Sequence, residues 1–391
     1  MSQIGGIPYG IKCLKYRLPP HRKGRTDVIR PITLILTYVS FAIFSAARRP
    51  ITVVQLKIIK ECDAYVFGVN RTDNAKDSSD DMDDMEELES TKSPVTSWCK
   101  GTVFEEDAQT FMQILGSLFI GSYGILVLFS GIIADYFNPR YIITWGSLMG
   151  GFFMIVIGMA NLWKIESTQY FSMALILLAA AQSTAWPILL SCATHWYQGQ
   201  RRGLFFSLWN THFYLGSFVG ILLAGSNVQE AWGKLFFIPA AFVSLIGVIL
   251  FFFLVIHPSD VAELDPPKES NDADKEEELP QWLDSKRTIP YYETFLIPGV
   301  VEFSGTMFFT RMVSFFFLFW RPAFLLETGK KTLRGIALYS LPYIIGGFLG
   351  GLCIGIAKTY LSKKCPCLHI ILVVVYPCDW FPDDTVRCGK C

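Results

Sequence analysis

TFMQILGSLFIGSYGILVLFSGIIADYFNPRYIITWGSLMGGFFMIVIGMANLW, residues 110–163, decides the fold. Two apolar runs, each long enough to cross about 30 Å of hydrocarbon as a helix, flank a short turn. The stretch has two charged residues, Asp135 and Arg140, and both fall in that turn. Gly146, Gly150 and Gly151 interrupt the second run. In water they would argue against a helix, but inside a bilayer small residues let helices approach closely.

Working outward, the same reading predicts eight spans: Pro31–Ile59, Thr110–Ala134, Tyr141–Trp163, Tyr170–Trp196, Gly203–Gly225, Leu235–His257, Ile297–Leu326 and Leu333–Leu361. The fold class is therefore all-α, a polytopic membrane protein whose first partner is the lipid bilayer. Composition agrees: 51% of the chain is hydrophobic and 17% charged, too apolar for a soluble protein of this length. The formal net charge of zero gives no electrostatic case for nucleic acid. The N-terminus is polar and basic, without the apolar core of a cleavable signal peptide. Residues 12–30 hold seven Lys/Arg against one Asp, which places the N-terminus in the cytoplasm. Arg140, Arg201, Arg202, Lys363 and Lys364 fall on that side; Lys330, Lys331 and Arg334 fall on the other.

The segments divide as follows: a basic N-terminus (1–30), a six-helix bundle (31–257) with a luminal polar loop (60–109), a charged cytoplasmic linker (258–296), two further helices (297–361) and a Cys-rich tail (362–391). The luminal loop carries eight acids between Asp77 and Glu89, read as a solvated linker, since the spacing is not that of a calcium loop. It also carries the sequon Asn70–Arg71–Thr72, a glycosylation acceptor, and Cys62 and Cys99, which in an oxidising lumen either pair or stand as unrelated thiols. Six helices, a polar linker, then more helices is the layout of a two-bundle transporter.

The turn Gly131–Ile–Ile–Ala–Asp135–Tyr–Phe–Asn138–Pro139–Arg140 resembles the signature loop between spans two and three of the major facilitator superfamily. Its Asp–x–x–Asn–Pro–Arg form is similar to the organophosphate:phosphate antiporter branch. Tyr136 stands where that branch carries Arg. Further pieces agree: Ser45–Ala–Ala–Arg48–Arg49–Pro50–Ile51, Trp186–Pro187, His195–Trp196, Trp209–Asn–Thr–His212, and Ile297–Pro–Gly–Val–Val–Glu–Phe–Ser304 continuing through Arg311 to Trp320. Together they resemble the sugar-phosphate exchanger family, solute carrier 37, from about Ile29 to Gly351.

That resemblance implies antiport of a sugar phosphate, such as glucose 6-phosphate, against inorganic phosphate, usually across the endoplasmic reticulum membrane, with Gly131, Asp135, Asn138 and Arg140 as the gating loop. The residues support an anion independently. An arginine near the bilayer centre costs at least about 2.5–3.5 kcal/mol on insertion scales, and its planar fork of donors suits a phosphate dianion. Arg48 and Arg311 lie in spans one and seven, equivalent in a two-bundle transporter, so both read as phosphate-binding groups facing one cavity. The bland alternatives are an arginine reaching to the interface, which fits Arg49 better than Arg48, and for Arg311 a partner on another helix. His212 reads as a substrate-proximal group of span five. His195 sits near a helix end, and Pro187 predicts a kink.

The resemblance implies twelve spans, of which eight are expected here, so the chain reads as C-terminally truncated, with a second chain as a candidate source of the missing helices. Cys365, Cys367, Cys388 and Cys391 leave open a zinc site of irregular spacing, reduced or palmitoylated thiols, or an atypical terminus. No cofactor or metal is called for. The two rivals are a non-transporting regulatory fragment and a polytopic membrane enzyme. The latter lacks an H-E-x-x-H, a nucleophile elbow or metal-spaced acids in a short loop, so the chain is not read as an enzyme.

Overall fold

The computed structural model describes residues 8–14, 22–55, 57–58, 108–165, 167–197, 202–226, 232–264, 293, 296, 299–329 and 333–361. The acidic run, Asn70, Cys62 and Cys99, and the Cys-rich tail lie outside the described residues. All regular structure among the described residues is helical: α1 (Tyr9–Leu14), α2 (Arg22–Ala47), α3 (Ala108–Tyr136), α4 (Pro139–Leu162), α5 (Thr168–Ser183), α6 (Ala185–Trp196), α7 (Arg202–Asn210), α8 (His212–Ser226), α9 (Lys234–Phe253), a 3-10 turn (Pro258–Leu264), α10 (Val300–Gly329) and α11 (Leu333–Leu361).

Among the described residues, five stretches are long and apolar enough to cross a membrane: Thr26–Gln55, Gln113–Tyr136, Pro139–Leu162, Thr168–Trp196 and Lys234–Phe253. Eight were expected. The expected fifth span is divided at Thr211, where the backbone tightens: Thr211 N–H and its hydroxyl both bond back to the Leu208 carbonyl, at 3.1 and 2.6 Å. The expected seventh and eighth spans are the helices α10 and α11, 30 and 29 residues long.

Two spans are bent by proline. Pro50 has no N–H to give the Ala46 carbonyl four residues back, and the helix of the first span breaks at Arg48 before resuming. Pro187 likewise orphans the carbonyl of Ser183, and the fourth span divides at Thr184 into α5 and α6, the kink expected from sequence. The freed Ser183 carbonyl is satisfied from another helix, by the Ser130 hydroxyl of α3 at 3.0 Å.

α4 packs along α9, α2 along α8, and α3 along α5; α2 also meets α6 and α9. α5 and α6 are innermost, with 56% of their apolar window buried, and α3 is outermost, with 11%. On α3 the apolar side chains Ile125, Leu128 and Phe129 point outward, as lipid-facing residues do. Between helices in lipid the hydrophobic effect supplies little, so close backbone approach does the joining. Gly216 and Gly220 of α8 show it: a Cβ at either would collide with the carbonyl of Ala42 or Ala46 on α2. α11 joins this bundle through α7 and α8, with Gly347 against the Tyr214 ring, and α10 packs on α11. The first residues of the charged linker form the 3-10 turn, folded back on α2, with Val261 1% exposed.

Candidate functional site

The breaks of the first and fourth spans meet at Arg48 and Gln182, and that of the fifth meets the first span further along, where Thr211 faces Tyr38. Arg48 stands at the break of the first span, Gln182 just before that of the fourth, and Thr211 at that of the fifth. Arg48 donates from Nε to Gln182 Oε1 at 3.0 Å, and its guanidinium lies 4.2 Å from the Tyr123 ring centre. A cation over an aromatic face contributes about 0.5–2 kcal/mol. Because Arg48 can only donate, Gln182 presents its oxygen to it and turns its NH2 group elsewhere; that Nε2 is buried without a hydrogen-bond partner.

Arg49 departs from its expected role. It does not reach to the interface but is 6% exposed, donating from Nη2 to the Ser217 hydroxyl on α8 and lying 5.8 Å from the Phe213 ring centre. The cause is the close approach of α2 and α8 at Gly220, which leaves Arg49 no outward path. Its Nε has no hydrogen-bond partner. Neither Arg48 nor Arg49 has an acidic partner among the described residues. Tyr343 of α11 is near enough to act electrostatically on Arg49, and its hydroxyl bonds to the Ser314 carbonyl of α10 at 3.0 Å.

His212 is 1% exposed. Its Nδ1 bonds to the Trp209 carbonyl, and its ring stacks on Phe41 at 4.6 Å, with Trp209 at 4.8 Å and Trp186 at 6.5 Å. Nearby, Tyr38 OH and Thr211 Oγ1 are 2.9 Å apart, and Trp209 Nε1 bonds to Thr37 Oγ1 at 3.2 Å. Arg311, half-buried on α10, acts electrostatically on His212. His212 therefore packs on Phe41, about two helical turns before Arg48 on the first span. Sequence reading missed Tyr123, Gln182, Ser217 and Tyr343. Their signal was a lone polar group in an apolar span, common enough that only the contacts single these out.

The signature turn lies at a different end. Asn138 caps α4, accepting from Arg140 N–H at 3.1 Å, with Pro139 at the first helical position. Gly131 is half-buried in α3. Asp135 is exposed and makes no polar contact among the described residues, whereas Arg140 is 6% exposed and donates from Nε to the Leu254 carbonyl at the end of α9 at 3.0 Å. Arg140 thereby joins the start of α4 to the end of α9, with Asp260 of the 3-10 turn near it. Trp196 Nε1 and the Cys192 thiol bond the next carbonyl, Val255, at 2.7 and 3.5 Å. His195 and His257 face each other there at 4.2 Å. Burial holds the His257 imidazole below the usual histidine range. No group of three or more His, Cys, Asp or Glu side chains suited to a metal ion occurs among the described residues.

A family model described as the Major Facilitator Superfamily matches residues 103–378. Among curated proteins, the Bos taurus glucose-6-phosphate exchanger SLC37A2 is 28% identical over 374 residues, covering 89% of this chain and 72% of that protein. The Mus musculus glucose-6-phosphate exchanger SLC37A1 is 27% identical over 415 residues, covering 93% and 76%. Among solved structures, a bacterial homologue of the human lysosomal transporter Spinster, in an inward-facing and unoccupied conformation, matches with a TM-score of 0.50 at 16% identity, covering 86% of this chain and 63% of that one. The likeness to Spinster speaks to the fold; the similarity to the curated glucose-6-phosphate exchangers extends over about nine-tenths of the chain.

Proposed function

This chain belongs to the major facilitator superfamily, and from that premise we propose that it is a transmembrane antiporter exchanging a sugar phosphate, such as glucose 6-phosphate, for inorganic phosphate by alternating access. The observation that carries the reading is the pair Arg48–Arg49, set in an apolar span with no carboxylate beside either among the described residues. A buried cation without a counter-ion is costly. A phosphoryl group entering from solution supplies the missing charge, and its oxygens take the donors of a planar guanidinium two at a time. Arg48 is the phosphate anchor in this reading. Arg311 assists from α10, and His212 supports from behind the aromatic rings. The names of the relatives point to the same substrate class.

In the same reading the turn Gly131–Arg140 lies at the cytoplasmic face with the N-terminus, Arg140 keeps α4 and α9 moving as one body, and the membrane is that of the endoplasmic reticulum. In this reading Asn70 is glycosylated in the lumen, and the oxidising lumen lets Cys62 and Cys99 pair.

The test is phosphate exchange by the purified chain in proteoliposomes. Radiolabelled phosphate should be taken up against internal phosphate and against internal glucose 6-phosphate. Arg48→Ala should lose both modes, because both substrates share the phosphoryl group, and Arg48→Lys should recover only part. Loss of sugar-phosphate exchange with phosphate exchange intact would show that Arg48 reads the sugar instead.

A further inference from the structure

Arg49 is a fixed charge that the anchoring of phosphate by Arg48 does not use. It is 6% exposed, held by the Ser217 hydroxyl and set over the Phe213 ring, with its Nε unpaired. The charged or ionisable groups facing it are Arg48 on its own helix and Tyr343 on α11; on α8 its neighbours are the neutral Ser217 and Phe213. Such a group is not kept for stability, because replacing a buried charge by an apolar side chain of similar volume is commonly neutral or stabilising. Nor does it offer donors to the substrate where it stands, because α8 encloses it. What remains is its field, which the apolar interior screens poorly.

We infer that Arg49 is a specificity-determining residue that reads the charge of the bound anion: it adds a fixed positive charge beside Arg48, so that the site accepts a dianion in preference to a monoanion of the same shape. A second negative charge on the anion is favoured by the field of Arg49, over and above what Arg48 and the assisting Arg311 supply. Arg49 needs no contact with the substrate to do this, and Ser217 acts only to hold it. The inference rests on the phosphate-anchor reading and adds to it the substrate's charge state. It separates phosphate monoesters, which are dianions near neutral pH, from diesters and singly charged anions.

The experiment varies charge at constant shape. Monofluorophosphate and difluorophosphate are tetrahedral anions of nearly equal size carrying two charges and one. At a single neutral pH, where neither titrates, each is measured as a competitor of radiolabelled phosphate on the full chain in lipid nanodiscs. Wild type should bind monofluorophosphate more tightly. Arg49→Met should bring the preference down by on the order of tenfold, the effect of one unit charge several ångströms away in a partly screened interior. The thermal midpoint should hold or rise, which a merely structural arginine would not allow. Arg49→Gln carries the same expectation should the methionine variant fail to fold. Arg49→Lys and Ser217→Ala keep the charge and should keep the preference to within about threefold. Full discrimination by Arg49→Met or Arg49→Gln overturns the inference alone. So does loss of discrimination by Ser217→Ala, which would assign the effect to the tether. Wild-type protein that binds no phosphate overturns the anchor reading and this inference with it.

Discussion

A methyl group added at Gly216 or Gly220 of α8 would strike the backbone of α2, whereas one added at Gly346 or Gly350 of α11 would meet nothing within 4 Å. The first region is the bundle from α2 to α9, joined at backbone distance and buried along several helices. The second is the pair α10–α11, attached through one face of α11, with Phe308, Phe309 and Met312 of α10 exposed. In lipid, close packing replaces the hydrophobic effect as the source of helix association. Polar groups on α2, α5 and α8 are therefore held in place by the bundle, while Arg311 and Tyr343 are presented to it from a single interface. The bundle preorganises; the pair completes.

The largest effect expected from this contrast is on phosphate. Arg48→Ala should lower phosphate binding by at least about 100-fold, since charge-assisted hydrogen bonds contribute about 1.5–3 kcal/mol each and two are lost. Arg311→Lys, on the looser support, should stay within about threefold. Radioligand binding measures both, and an Arg311→Lys defect as deep as that of Arg48→Ala would erase the distinction between the regions.

Next comes stability, with opposite signs. Gly220→Ala should destabilise by roughly 1–3 kcal/mol, the usual cost of overpacking. Gly350→Ala should be neutral or stabilising by up to about 1 kcal/mol, through helix propensity alone. Thermal midpoints of the two variants in one detergent decide it; equal losses would mean that α11 is packed as tightly as α8. A smaller loss, about 1–2 kcal/mol, is expected for Ser130→Ala, which strands the Ser183 carbonyl that Pro187 has freed. No loss would mean that water takes the place of the hydroxyl.

The smallest effect lies at the end of the bundle where His257 meets His195. The folded protein holds His257 below its ordinary value of 6.5. Its contribution to stability is therefore present above pH 6.5 and is lost as the pH falls through the depressed value, because the unfolded chain takes up the proton first. The thermal midpoint should decline on acidification, and His257→Gln should flatten that decline. An unchanged slope would remove His257 from the acid response.

Some of the site could be read directly. Pro187 announced the break near Gln182, because a missing N–H is a property of the residue and not of its surroundings; the break that Pro50 causes beside Arg48 has the same local origin but was not read. The break at Thr211 was not legible, since no proline marks it and the tightening depends on Thr211 bonding its own preceding turn. Nor was the division of labour in the signature turn. Asp135 and Arg140 look like a pair on paper, yet Arg140 turns inward to the Leu254 carbonyl because the end of α9 arrives there.

By itself the sequence determined that this chain is a bundle of apolar helices and that arginines are placed where arginines are expensive, because span length and the cost of charge in hydrocarbon are set by composition along the chain. Only the tertiary structure decided what surrounds each arginine. Arg48 and Arg49 are adjacent in the chain and face different ways around the helix, since each residue turns the side chain by about 100°. The one that meets Gln182 and Tyr123 and the one enclosed by Phe213 and Ser217 are distinguished by where α3, α5 and α8 lie around α2. The approach of α8 is set by Gly216 and Gly220, some 170 residues further along the chain, through contacts that no local pattern encodes.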